Sequence, residues 1–179
     1  MRVAPLVAQG LSVSYSNRVV VDDVSLTLEA GTLTALVGAN GAGKTTTINL
    51  FLGFLSPDTG TVTVGDVEPS VDPQGARRQL AYIAENVALY PHLTGLENLR
   101  LFCRMGGSKL SDEALLELLG RSGLTPEQAE RAVDGYSKGM RQKVGLAIAY
   151  ARDAKALLLD EPLSGLDPSA ASDFCAELA

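Results

Sequence analysis

Residues 38–45 read Gly38-Ala39-Asn40-Gly41-Ala42-Gly43-Lys44-Thr45, and the fold is decided by that stretch. It satisfies the pattern GxxxxGK[ST] in full and adds a further glycine at Gly41. Glycines let the backbone curl until successive N–H groups point inward, forming an anion nest at the positive end of the helix that follows. Lys44 contributes a compact positive charge suited to β- and γ-phosphate oxygens, and the Thr45 hydroxyl is a ligand for Mg²⁺. The flanks agree with this reading. Leu33-Thr34-Ala35-Leu36-Val37 is nearly continuously apolar, as in a strand covered on both faces of a parallel sheet. Ile48, Phe51, Leu52 and Leu55 recur at i, i+3, i+4, i+7, so a helix is expected directly after the loop. Strand, glycine loop and helix follow in the order that a phosphate site requires.

A second apolar run, Ala156-Leu157-Leu158-Leu159, ends in Asp160-Glu161. This sets two carboxylates at the carboxyl edge of a buried strand, where ligands sit in open α/β sheets. Asp160 is positioned to hold Mg²⁺, directly or through water, and Glu161 to act as general base on an attacking water. The helix leading into this strand carries Val144, Ala147, Ile148 and Ala151 at helical spacing, and the alternation suggests βαβ units. The stretch from Val3 to Leu28 reads differently: Val24-Ser25-Leu26-Thr27-Leu28 alternates strictly, as in an antiparallel edge layer with one buried face. Between about residues 87 and 135 strand signals give way to helix starts, Thr94 with Glu97 and Thr125 with Pro126 and Gln128. The expected fold is α/β: a P-loop NTPase core with a mostly parallel sheet, an N-terminal antiparallel β layer and a small α-helical insert, in one domain over residues 1–179.

Composition narrows the partners. A formal charge of −6 without a uniformly basic stretch argues against nucleic acid, which is bound through clustered Lys and Arg. Cys103 and Cys175 stand in no metal-ligand or disulfide spacing and read as reduced thiols. The apolar runs fall well short of the ~20 residues that span a bilayer, so any membrane role is expected to come through a partner.

Phosphate loop and acidic strand are shared by GTPases, kinases and helicases. The stretch Tyr136-Ser137-Lys138-Gly139-Met140-Arg141-Gln142-Lys143 separates these, because it resembles the signature motif, LSGGQ in its commonest form, of ATP-binding cassette (ABC) proteins. The resemblance covers the whole chain and implies an ATPase subunit using ATP and Mg²⁺. It implies that Tyr15 stacks on adenine and that Gly38, Asn40, Gly41, Ala42, Gly43, Lys44, Thr45 and Thr46 hold the nucleotide. Ser164-Gly165-Leu166-Asp167 resembles the D-loop, with Asp167 at the nucleotide. Ser137 and Gly139 would present a hydroxyl and bare backbone at a helix start, a second anion-binding device. In the family two domains pair head to tail, so each signature closes over the γ-phosphate of the other copy, and the membrane partner is a transmembrane permease. The implied location is cytoplasmic, on the inner face of the cell membrane through that permease.

The sequence departs from the family wording in three places. Glu85 aligns with the Gln that touches Mg²⁺ or the lytic water, and keeps an acceptor while adding negative charge. Lys138 and Met140 replace the usual Gly and Gln of the signature; the "YSKGM" wording is similar to that of exporters. The family's switch histidine and a further strand would fall after residue 179, so nucleotide binding is better supported by the residues present than full hydrolytic competence, and a sheet edge is expected to be left unpaired. His92, the only histidine, reads as a surface loop residue. Two rival readings follow: a cassette that binds ATP but hydrolyses it poorly, and a non-transport ABC ATPase.

Overall fold

The computed structural model describes residues 6–178, so the first three residues of the Val3–Leu28 layer lie outside the described residues. The chain divides into two compact units, one comprising residues up to 81 with Ala154–Asp160, the other Tyr82–Asp153 with Glu161 onward.

In the first unit, strands β1 (Leu6–Tyr15), β2 (Arg18–Leu28) and β3 (Thr59–Val64) form an antiparallel sheet in the order β2-β1-β3. The expected alternation holds: Val24, Leu26 and Leu28 are half-buried while Ser25 and Thr27 are exposed. On β1 the buried positions are Leu6 and Ala8, then Leu11 and Val13, a one-residue slip that would throw the apolar face outward in a regular strand. A bulge between Ala8 and Leu11 absorbs the slip, with Gly10 at φ 57, and keeps all four side chains in the core. Ser16 and Asn17, both at positive φ, make the two-residue turn into β2 that right-handed strand twist favours.

Helix α1 (Lys44–Phe51) follows the glycine loop as expected and packs Ile48, Leu50 and Phe51 into the same core as β1 and β3. It stops before Leu55, which packs against the core from the following turn. Helix α2 (Pro73–Gln79) is capped by Asp72, whose carboxylate accepts from the Gly75 N–H at 2.8 Å. Strands β4 (Leu80–Ile83) and β5 (Ala156–Leu159) form a two-stranded parallel sheet.

One strand expectation is overturned. Leu33–Val37 is not a strand: Leu33 is 82% and Val37 93% exposed, in a stretch without regular secondary structure outside both sheets. Apolar content alone does not make a strand, because the backbone N–H and C=O groups need a ladder partner. Among the described residues neither sheet offers one to residues 33–37. β5 forms, but all four of its residues are only half-buried rather than covered on both faces.

In the second unit, α3 (Gly95–Met105), α4 (Asp112–Arg121), α5 (Pro126–Ala129) and α6 (Lys138–Ala151) enclose a core of Leu99, Leu115, Leu119, Val133, Val144 and Ala147. Both helix starts read from sequence are present as capping boxes, Thr94 with Glu97 and Thr125 with Gln128. Ser111 caps α4 and Asp167 caps α7 (Pro168–Ala176), whose Phe174 is buried. Among the described residues no helix is long and apolar enough to cross a membrane.

Asn98 ties the loop before α3 to that helix. Fully buried, it donates through Nδ2 to the carbonyls of Tyr90, Leu93 and Thr94, and accepts the Tyr90 N–H at 2.8 Å. Asn98→Ala strands those backbone groups, each costing on the order of 1 kcal/mol or more. Urea unfolding should show a loss of about 2–4 kcal/mol, against under ~0.5 kcal/mol for a surface substitution such as Glu113→Ala.

Candidate functional site

The first unit contributes the phosphate loop. Gly41 and Gly43 stand at φ 82 and 87, the left-handed region that lets consecutive N–H groups turn inward. Gly43 is also confined: a Cβ there would lie 2.8 Å from the Val20 carbonyl oxygen and 3.0 Å from Val21 Cγ2. β2 therefore abuts the loop where it enters α1. Gly43→Ala should combine left-handed strain of roughly 1–2 kcal/mol with that clash, seen as a lowered unfolding midpoint together with weakened nucleotide binding.

Lys44 Nζ donates to the carbonyls of Gly38 at 2.9 Å and Ala39 at 3.2 Å, so its charge lies inside the curl of the loop. The Ala42 N–H donates to the Ala39 carbonyl, and the Thr47 hydroxyl to the Gly43 carbonyl at 2.9 Å, which fixes the loop against the first turn of α1. No acidic residue occurs in that turn to compete with an anion. Asn40, Gly41 and Ala42 are exposed and Thr46 is half-buried. Tyr15, 46% exposed, ends β1 at the hairpin tip.

The Thr45 hydroxyl donates to Asp160 Oδ1 at 3.1 Å, joining two residues 115 positions apart in sequence. Asp160 is 9% exposed at the end of β5. A hydroxyl and a carboxylate at this spacing suit Mg²⁺, which takes one or two protein oxygens and completes its shell with phosphate and water. Among the described residues no cluster of three or more His, Cys, Asp or Glu is present.

Glu161, next in the chain, belongs to the second unit. It is exposed at φ 47, a left-handed conformation that costs a non-glycine residue energy and recurs at functional sites. Its carbonyl accepts the Ser164 N–H at 3.0 Å, closing the turn that leads to Asp167, whose carboxylate caps α7 through the Ala170 N–H at 2.9 Å.

The signature opens α6. Ser137 is its cap, accepting the Met140 N–H at 3.2 Å and leaving its own proton available. Gly139 permits close approach, since a Cβ there would meet Leu166 Cδ2 at 2.9 Å. Burial pushes the Tyr136 hydroxyl above its ordinary range, and it stays protonated and donates to the Gln128 carbonyl. Glu85 is half-buried and engaged: Ser164 Oγ donates to Oε1 at 3.1 Å, Lys138 Nζ to the same oxygen at 3.4 Å, and Gln142 Nε2 to its main-chain carbonyl at 3.0 Å. His92 lies exposed in its loop, as expected.

Sequence reasoning missed Gln142. It is fully buried on α6, with Oε1 without a partner, and its signal was a polar residue among apolar helix positions.

Comparison with known proteins bears on this geometry. The family model described as ABC transporter matches residues 21–164. An uncharacterized ABC transporter ATP-binding protein of Bacillus subtilis (strain 168), YdbJ, is 38% identical over 93% of this chain and 53% of its own length. The Nod factor export ATP-binding protein I of Burkholderia lata is 37% identical over 95% of this chain and 56% of its own. The chain thus spans about half the length of the curated relatives it matches. A solved structure of an ATP binding subunit of an ABC transporter superposes with a TM-score of 0.80 at 34% identity, covering 97% of this chain and 72% of that one.

Proposed function

This chain belongs to the ABC transporter family of ATP-binding proteins, and from that premise we propose that it binds ATP with Mg²⁺ and hydrolyses it to drive export through transmembrane permease subunits. The observation that carries the proposal is the Thr45–Asp160 hydrogen bond beside a glycine loop curled around Lys44. A phosphate nest, a fixed cation and a hard-metal pair come together there within one unit.

Lys44 neutralises the β- and γ-phosphates, and the loop amides orient them. Thr45 and Asp160 would hold Mg²⁺, which supplies charge stabilisation at the transferring phosphoryl group. Glu161 takes a proton from water at its carboxylate, with Glu85 in the sensor role that the family gives to Gln. Tyr15 stacks on the base, and Asn40, Ala42 and Thr46 line the loop. Residues 1–179 are taken as one nucleotide-binding domain.

Two copies pair head to tail, with Ser137, Gly139 and Asp167 of one facing the nucleotide of the other in an isologous dimer. Export is favoured over import by the export role in the name of the Burkholderia relative and by a Bacillus subtilis linearmycin resistance ATP-binding protein, 32% identical. The protein is placed on the cytoplasmic face of the membrane by its permease.

Phosphate release from ATP, measured with Mg²⁺ and with chelator, tests the reading. Mg²⁺-dependent release above a Lys44→Ala control is expected, and equal rates would overturn it. A second reading, nucleotide binding without appreciable turnover, is favoured by residues 33–37 lying outside any sheet just before the loop. Tight binding of a fluorescent ATP analogue without phosphate release would select it.

A further inference from the structure

Two of the departures from the family wording meet in the second unit. Lys138 Nζ and Glu85 Oε1 lie 3.4 Å apart, with the side chains 27% and 45% exposed. The Lys138 stem runs over Gly165, where a Cβ would be 3.8 Å from both Cδ and Nζ. Ser164 donates to the same Glu85 oxygen, and Gln142 fixes the Glu85 main chain. The other cations of α6 are directed elsewhere: Arg141 Nε to the Tyr136 carbonyl and Lys143 Nζ to that of Gly123. Lys138 is thus the cation of the first turn that answers Glu85.

Lys138 is the first residue of α6, between the cap Ser137 and Gly139, and no acidic residue occurs in that turn. An anion approaching this helix start meets the positive end of the dipole, one ammonium and one carboxylate. We propose that Glu85 and Lys138 are a charge-balancing pair that sets how strongly the signature attracts the phosphates of a nucleotide held by a second copy of the chain. Glu85 competes with the incoming phosphate for one ammonium, and Ser164 holds the carboxylate when Lys138 leaves it. Glu85 is then a brake on pairing, and Lys138 the positioning residue through which it acts. The inference rests on the head-to-tail reading above.

A contact that only braced the loop would give both single substitutions the same sign, whereas charge competition gives opposite signs. ATP-driven self-association is measured by sedimentation in a Glu161→Gln background, so that nucleotide persists. Glu85→Gln frees the ammonium and should tighten pairing about 3- to 5-fold, the range for a partly exposed ion pair. Lys138→Ala, with Lys138→Gln as the milder variant, should weaken it about as much, and Glu85→Gln with Lys138→Ala should return near the parent. These shifts should shrink at high salt. Weakening by both single variants, or no change in either, overturns the inference and leaves head-to-tail pairing standing. A parent that never self-associates with ATP overturns the pairing reading, and this inference with it.

Discussion

Glu161→Gln is expected to reduce steady-state ATP turnover by about 10²- to 10⁴-fold, the usual contribution of a positioned general base. Nucleotide binding should survive. The amide is close to the carboxylate in size and keeps one acceptor oxygen, but it loses the negative charge and with it the ability to take a proton. Two local features isolate the effect. Glu161 is exposed and follows Asp160, so the Thr45–Asp160 bond is left intact. Its left-handed φ of 47 closes a turn through its carbonyl, which accepts the Ser164 N–H and is untouched by a side-chain change. A turnover defect with unchanged affinity for ATP and an unchanged unfolding midpoint would therefore report chemistry rather than folding. Accumulation of an ATP-bound dimer should accompany it, because pairing is favoured by the triphosphate and relieved by its hydrolysis. Turnover equal to the parent's would remove Glu161 from the catalytic role.

What could be read from the sequence was mostly local. The glycine loop leading into α1, the two capping boxes and the alternation of Val24 to Leu28 depend on residues within one turn or one strand, and each is found where the spacing put it. Leu33–Val37 failed for a non-local reason: its apolar content matched a buried strand, yet a strand also needs a ladder partner from elsewhere in the chain. The β1 bulge was equally hidden. It brings Gly10 against Gly60, where a Cβ would fall 2.3 Å from the Gly10 carbonyl oxygen, a contact between strands 50 residues apart.

The candidate site divides along the same line. Thr45 and Asp160 were each recognisable from their own motif, and folding adds the hydrogen bond between them. Glu85 and Lys138 each looked like an isolated substitution in a familiar motif. Only their separation of 3.4 Å makes them one feature, and Gln142 enters solely through its bond to the Glu85 carbonyl. Residue types and spacings thus disclose which chemistry is available, whereas the coupling between motifs is written in contacts 53 to 115 positions long.

Lys44→Ala should act on the other half of the cycle, weakening ATP about 10- to 100-fold, since a hydrogen bond to a charged group contributes roughly 1.5–3 kcal/mol. The ammonium donates to the Gly38 and Ala39 carbonyls at 2.9 and 3.2 Å, so it is held by the loop, and on the proposed function it would meet phosphate from inside the curl. Removing it withdraws the central charge and also frees the entry of the loop, adding conformational entropy to the cost of binding. Lys44→Arg is the sharper variant. It keeps the charge, but a planar guanidinium with a fixed fork does not replace a compact ammonium whose three donors can divide between carbonyls and phosphate oxygens. If charge alone mattered, Arg would restore affinity in titrations with a fluorescent ATP analogue. Because the geometry of the curl also matters, Lys44→Arg should recover less than half of the lost binding free energy. Full recovery by Arg would show that the Gly38 and Ala39 contacts do not shape the site, and undiminished binding in Lys44→Ala would remove the phosphate-loop assignment on which the proposed function stands.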